Sequence, residues 1–381
     1  MTKLEKLLQE LCPEGLVYKT LGEIATDVFR GAGISRDQVR ETGTPCVRYG
    51  EIYTTYGVWF EDCVSHTDET LLTSKKYFDY GDILFAITGE SVEDIAKCCA
   101  YIGHETCLAG GDIVVLKHNE DPKYLSYALS TLDAQKQKSK GKVKSKVVHS
   151  SVPDIKAIRI PVPPLPVQRE IVRILDNFTE LTAELTAELT ARKQQYAYYR
   201  DKLLAFGDDV PKETLENLCD FQYGKGNSIP TALGEYPVYG CNGVIGTTNV
   251  FNSIDAPVIG HIGSAGIVNW GKGKHFVTYN GTICKVRPEK MISRYAYHLL
   301  CSLHLERFVK GSQPFLSYSD FAEETVAVPP LNIQQRVVSI LDRFDTLCTD
   351  LSSGLPAEIE ARQKQYEYYR DKLLTFGERF N

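Results

Sequence analysis

A chain that carries one segment twice has to fold into something that uses it twice. Residues 191–207 read ARKQQYAYYRDKLLAFG and residues 361–377 read ARQKQYEYYRDKLLTFG, identical at 13 of 17 positions. Upstream, PPLPVQREIVRILDNF from Pro163 is matched by PPLNIQQRVVSILDRF from Pro329. Such repeats constrain the architecture before any single element is assigned. The first pair lies 170 positions apart and the second 166, so the later copy holds four more residues between its anchors. Fainter echoes extend the duplication. Ser151 and Asp154 recur as Ser317 and Asp320 at an offset of 166, and Gly31, Gly33 and Ser35 as Gly224, Gly226 and Ser228 at an offset of 193. The sequence therefore divides into a variable block (1–162), a helical block (163–207), a second variable block (208–328) and a second helical block (329–381).

The helical blocks have a legible period. Apolar residues fall at Ile171, Ile174, Phe178, Leu181, Leu185, Leu189, Tyr196, Tyr199, Leu203 and Phe206, in steps of mostly three and four. The second copy gives Val337, Ile340, Phe344, Leu347, Leu351, Leu355, Ile359, Tyr366, Tyr369, Leu373 and Phe376. That is a coiled-coil seam. A narrow seam needs a partner, and the other copy in the same chain is the simplest; homodimerisation is the alternative. Two long antiparallel helices separating two globular domains are expected, with pseudo-two-fold symmetry. Ser352, Ser353, Gly354 and Pro356 predict a kink or broken turn in the second helix. The first contains a tandem, Thr182–Leu185 and Thr186–Leu189, each reading TAEL. Four helical residues add roughly 6 Å, close to two base pairs of duplex, so such a unit could act as a ruler.

The variable blocks are rich in glycine and aromatic residues and carry short apolar runs at 82–87, 112–116, 257–262 and 282–286. These predict strands of an α/β or α+β fold, with helices over 122–132 and 293–305. The 43% hydrophobic content suits a folded protein. The sequence has no apolar run near the roughly 18 residues a membrane span needs, and no signal-peptide pattern at its start. Eleven cysteines without a Cys-x-x-Cys motif read as reduced, buried thiols of a cytoplasmic protein.

A net charge of −6 argues against nucleic-acid binding when averaged, but charge is segregated. Lys136, Lys138, Lys140, Lys142, Lys144 and Lys146 occupy every second position. A solvated edge strand would use lysine in this way; an adaptable loop facing DNA would use it to neutralise phosphates. The interleaved Ser139, Gly141 and Ser145 favour the loop. The matching stretch of the other half keeps Arg307, Lys310 and Gln313. Base readout needs Arg, Lys, Asn or Gln side chains as well, and Arg30, Arg48, Lys225, Asn242, Lys272 and Lys274 are the candidates. Catalytic patterns are missing from the sequence: there is no phosphate-binding loop, no paired-histidine metal motif, and no Asn-Pro-Pro or Asp-Pro-Pro of the kind an amino-methyltransferase uses. No residue is assigned to catalysis or metal binding.

Two variable domains, two helical blocks opening Pro-Pro-Leu-x-x-Gln (Leu165 with Gln168, Leu331 with Gln334) and the Thr-Ala-Glu-Leu tandem together resemble the specificity subunit of type I restriction-modification systems. The resemblance spans essentially the whole chain. It implies two target recognition domains, each reading half of a bipartite, asymmetric double-stranded DNA sequence. It also implies a coiled coil that docks two modification (methyltransferase) subunits. Those partners would carry S-adenosylmethionine and methylate adenine; restriction (translocase/nuclease) subunits would use ATP and Mg. No cofactor is expected in this chain. Ile174, Phe178, Leu181, Leu185, Leu189, Tyr199, Leu203, Ile340, Phe344, Leu347, Leu351, Tyr369 and Leu373 would form the coil and its docking face. The rivals are a scaffold that binds only proteins and a self-sufficient enzyme.

Overall fold

The computed structural model describes residues 2–92, 94–139, 143–144, 147–226, 234–349 and 353–375, with 143, 144 and 147 as backbone only. The chain forms two compact units, Met1–Ala183 with Ala361–Asn381, and Glu184–Glu360. Each unit draws helix from both repeats. No helix among the described residues is long and apolar enough to cross a membrane.

Unit 1 is built on a five-stranded sheet in the order Ala25–Arg30, Ile113–His118, Ile83–Ala86, Cys98–Tyr101, Trp59–Phe60. The predicted strands at 82–87 and 112–116 are its centre, and their unbroken apolar character has a reason. Ile83, Phe85, Val114 and Leu116 face one core, while Leu84, Ala86, Ile113 and Val115 face another. A strand covered on both faces has no polar side to show. A second five-stranded sheet, including Thr44–Val47 and Cys107–Ala109, supports the latter core. Unit 2 carries a six-stranded sheet in the order Cys219–Tyr223, Gly281–Val286, Ser253–Gly260, Val268–Val277, Tyr236–Gly240, Gly243–Thr248. Its centre follows the same rule, with Val258 and Ile283 on one face and Ile259 and Cys284 on the other.

One helix docks on each sheet, Pro122–Leu129 in unit 1 and Ser293–Ser302 in unit 2. The first starts cleanly because Asp121 accepts from the Tyr124 amide (3.0 Å) and proline occupies the first turn. The first helical block is a single helix of 40 residues, Leu165–Leu204. The second is broken where Gly354 and Pro356 predicted it, into Leu331–Thr349 and Leu355–Leu374.

The Pro-Pro-Leu-x-x-Gln pattern fastens helical block to domain. Gln168 is fully buried; its amide donates to Pro163 O and Glu120 Oε2 (both 2.7 Å), and its Oε1 accepts from the Asp121 amide (3.0 Å). Gln334, equally buried, donates to Pro329 O (2.9 Å) and Lys290 O (2.8 Å) and accepts from the Ile292 amide (2.9 Å). Asp121 and Ile292 are the N-caps of the two docked helices. In both units, then, a helix-borne glutamine satisfies the same otherwise orphaned backbone groups.

Further along, the joint is repeated with altered chemistry. In unit 1 Lys123 sits 3.8 Å from the Trp59 ring centre and 2.9 Å from Asp176, which also accepts from Tyr127 Oη (2.7 Å). In unit 2 Arg294 lies 4.9 Å from Trp270 and donates to Asp342 (2.7 Å), beside His298 Nε2 at 2.7 Å. These are the two tryptophans of the chain. Ring stacking is duplicated too. Phe178 and Tyr369 lie 5.4 Å apart at 21° in unit 1, Phe344 and Tyr199 5.7 Å apart at 22° in unit 2. In unit 2, with Tyr199 stacked on Phe344 and Leu204 in one core with Val337 and Leu341, the helices run antiparallel.

The packed stripe of Leu331–Thr349 shares Val337 and Phe344 with the predicted seam and adds residues to it. Val337, Val338, Leu341, Asp345 and Cys348 are buried, whereas Ile340 and Leu347 are exposed. The inward face carries Asp342 and Asp345 because Arg294 pairs with both, which an apolar periodicity cannot register. Ile174, Phe178 and Leu373 pack against the unit 1 core and Leu203 against that of unit 2; Leu181, Leu185 and Leu189 are half-buried. Leu351 lies outside the described residues.

Candidate nucleic-acid interface

The glycine echo marks a tight backbone crossing in each unit. A Cβ on Gly31 would stand 2.1 Å from Gly110 O, and one on Gly224 would stand 2.1 Å from Thr278 O. Only glycine permits this approach. From each crossing the loops spread along one end of the sheet.

In unit 1, Arg30 Nε donates to Gly111 O (2.6 Å) and its guanidinium pairs with Asp112. Arg48 pairs with the nearly buried Glu51 at 3.1 Å. Arg48 and Arg36, together with Gly33, Tyr49 and Gly111, line an open cleft of about 700 Å³. Arg36 was not among the sequence candidates, since an isolated arginine after Gly-Ile-Ser carries no signal.

The lysine stretch divides. Lys136 is exposed near the end of the helix Leu132–Lys138. Lys138 is buried, its ammonium donating to Leu129 O at 2.7 Å, so it is committed to the interior. A period of two along lysines thus ends a helix here and is not one continuous loop. Lys144 lies in the short strand Val143–Lys144, which pairs with Val147–His149 and through it with Thr88–Gly89. Lys140, Lys142 and Lys146 lie outside the described residues.

Unit 2 repeats that hairpin in reduced form, as single bridges from Phe315 to Lys310 and to Ile262. Around it converge the loops bearing Lys225, Gln313 and Lys310, tied by the Tyr279 amide to Gly226 O (2.9 Å) and the Gly263 amide to Pro314 O (3.0 Å). Lys310 pairs with Asp320 (2.6 Å), and Arg307 with Glu324 (2.7 Å). Asn242 occupies the turn between Tyr236–Gly240 and Gly243–Thr248. Lys272 faces a separate cleft of about 950 Å³ against Asp342 and Asp345, and Lys274 lies 5.0 Å from the Phe251 ring. The candidates of unit 2 therefore fall into more than one cluster.

A family model described as the type I restriction modification DNA specificity domain matches residues 13–192 and 212–361. The chain belongs to this family. Among its members, a type I restriction enzyme specificity subunit of Escherichia coli is 37% identical over 290 residues, 67% of this chain and 70% of that one. A putative type I specificity subunit of Mycoplasma pneumoniae is 35% identical over 248 residues, 58% of this chain and 96% of that one. The solved type I restriction-modification S subunit from M. genitalium superposes with a TM-score of 0.60 over 98% of this chain and 99% of that one. At 18% identity that likeness concerns the fold. The two matched stretches of the specificity-subunit family begin in the variable blocks and run on into the helical blocks, in step with the internal repeat.

Proposed function

We propose that the chain is the DNA-reading subunit of a type I restriction-modification complex. Unit 1 reads one half of a bipartite target and unit 2 the other. The helical blocks set the gap and dock two modification subunits, which hold S-adenosylmethionine and methylate adenine. Restriction subunits, using ATP and Mg, cleave. This chain supplies recognition, and the chemistry belongs to the partners, in the cytoplasm where the DNA is.

One observation carries this reading: the glutamine joint between helix and domain is built twice alike, while the loop ends of the two domains differ. A protein that engages identical partners twice and two unlike half-sites once each needs that combination. The twinned helix face supports the docking role. Tyr198 and Tyr368 are 60% and 61% exposed, with Lys202 and Lys372 at 5.8 and 5.7 Å from their rings. Arg30, Arg48, Lys136, Lys144, Lys225, Lys310 and Gln313 are proposed to face DNA.

The complex reconstituted with its modification subunits should bind duplex selectively, with an affinity that falls steeply as salt rises. Binding without dependence on salt or sequence would favour a protein scaffold. Methyl transfer by this chain alone would favour the self-sufficient enzyme.

A further inference from the structure

The two units share a backbone at their loop ends but not the side chains mounted on it. Equivalence follows from hydrogen bonds. The Ala32 amide donates to Ala109 O (2.9 Å) and the Lys225 amide to Val277 O (3.0 Å); Gly31 donates to Ile113 O (2.8 Å) and Gly224 to Gly281 O (2.9 Å). In the same register Arg30 stands opposite Val114, and Tyr223 opposite Thr282. Gly111 therefore corresponds to Tyr279. Counting back from the matching capping boxes at Ser151 and Ser317, His149 corresponds to Phe315. Both of these are bridged in antiparallel fashion, His149 to Thr88 and Phe315 to Ile262.

Unit 1 places a guanidinium at this end, held by Gly111 O and Asp112. Unit 2 places rings there. Tyr223 packs 4.3 Å from the buried His261, whose Nδ1 lies 2.6 Å from Leu316 O, and the Tyr223 hydroxyl lies 2.9 Å from Ser317 Oγ. Tyr279 and Phe315 lean on His261 at 5.4 and 4.8 Å. The inner rings are locked, and the outer two remain 40% exposed each. Rigid, half-exposed aromatics beside Lys225 and Gln313 offer contact area at little entropic cost.

We infer that Tyr279 and Phe315 form an apolar ledge through which unit 2 reads its half-site, by contact with the C5 methyl of thymine. Arg30, in register with Tyr223 and hydrogen-bonded to Gly111 at the position of Tyr279, reads for unit 1 by hydrogen bonding, as arginine does with guanine. The inference rests on the DNA-reading function proposed above, and it gives a physical reason for an asymmetric target.

The test uses the full chain in complex with its modification subunits, with targets selected from randomised duplexes. The double variant Tyr279→Ala, Phe315→Ala should lose selectivity in one half-site only, and Arg30→Ala in the other half-site. In the half-site lost by the double variant, deoxyuridine in place of thymine should weaken wild-type binding by about tenfold, the scale of one lost base contact. It should leave the double variant within about twofold. Tyr279→Phe should retain selectivity, because the ring and not the hydroxyl is used. Should the double variant fail to fold, the single changes Tyr279→Ser and Phe315→Ser are read in the same way. Retained selectivity in a folded double variant, an equal loss in both half-sites, or indifference to deoxyuridine overturns the ledge but leaves DNA reading standing. A wild-type complex that selects no sequence overturns both.

Discussion

Gln334→Leu should detach a helix from its domain without emptying space. Leucine nearly matches glutamine in volume, so the cavity contribution is small. What is lost is three hydrogen bonds of 2.8–2.9 Å, to Pro329 O, Lys290 O and the Ile292 amide, at a fully buried site. A buried group left unsatisfied costs about 1–3 kcal/mol, and three coupled losses sum to roughly 3–5 kcal/mol. Against the 5–15 kcal/mol typical of a folded domain, that is a large fraction. Urea unfolding reads the total, and amide hydrogen exchange at Ile292 reads the local opening, since that amide is donated to Gln334. The exposed neighbour Gln335 provides the control, with Gln335→Leu within about 0.5 kcal/mol of the parent. A loss below about 1 kcal/mol for Gln334→Leu, or unaltered exchange at Ile292, would refute the clamp.

Acid should weaken unit 2 through His298. Burial pushes this imidazole below its ordinary value and outweighs the opposing hydrogen bond to Asp342. A histidine neutral when folded gains its proton more readily on unfolding, so stability falls as pH drops below about 6.5. His298→Gln should flatten that fall in a pH series of melts, and an unchanged slope would contradict it. Lys138→Ala should cost about 2 kcal/mol in a denaturant titration by removing the charged donor to Leu129 O, with the salt dependence of DNA binding unchanged. Lys136→Ala should do the reverse, lowering the salt slope by about one unit; the opposite pattern would exchange their roles. Deleting Thr186–Leu189 shortens a continuous helix by about 6 Å and should change the gap by about two base pairs while keeping both half-sites. Methylation mapping that returns altered half-sites would refute the ruler.

The duplication, the strand pairs at the centre of each sheet and the break at Gly354–Pro356 were legible because each leaves a local trace: identity, apolar run, helix breaker. The role of Gln168 and Gln334 was visible only as a pattern, since their partners at the starts of the docked helices lie more than 40 positions away. Trp59 with Lys123 and Trp270 with Arg294 carry no sequence signal, because one pair is 64 residues apart and the other 24. The buried stripe of Leu331–Thr349 takes in residues the apolar period leaves out, for a related reason. Asp342 and Asp345 sit on the packed face through ion pairs with Arg294, and a hydrophobic period counts them as outward. The lysine alternation misled because period two does not distinguish a loop from a helix end whose last lysine folds inward.

The most direct test of the two-reader construction is genome-wide mapping of methylated adenine in the source strain, with and without this gene. One motif of two unlike half-sites separated by a fixed gap should be present with the gene and vanish without it. Methylation unchanged by its loss, or a lost motif that is continuous and symmetric, would contradict two domains reading two halves.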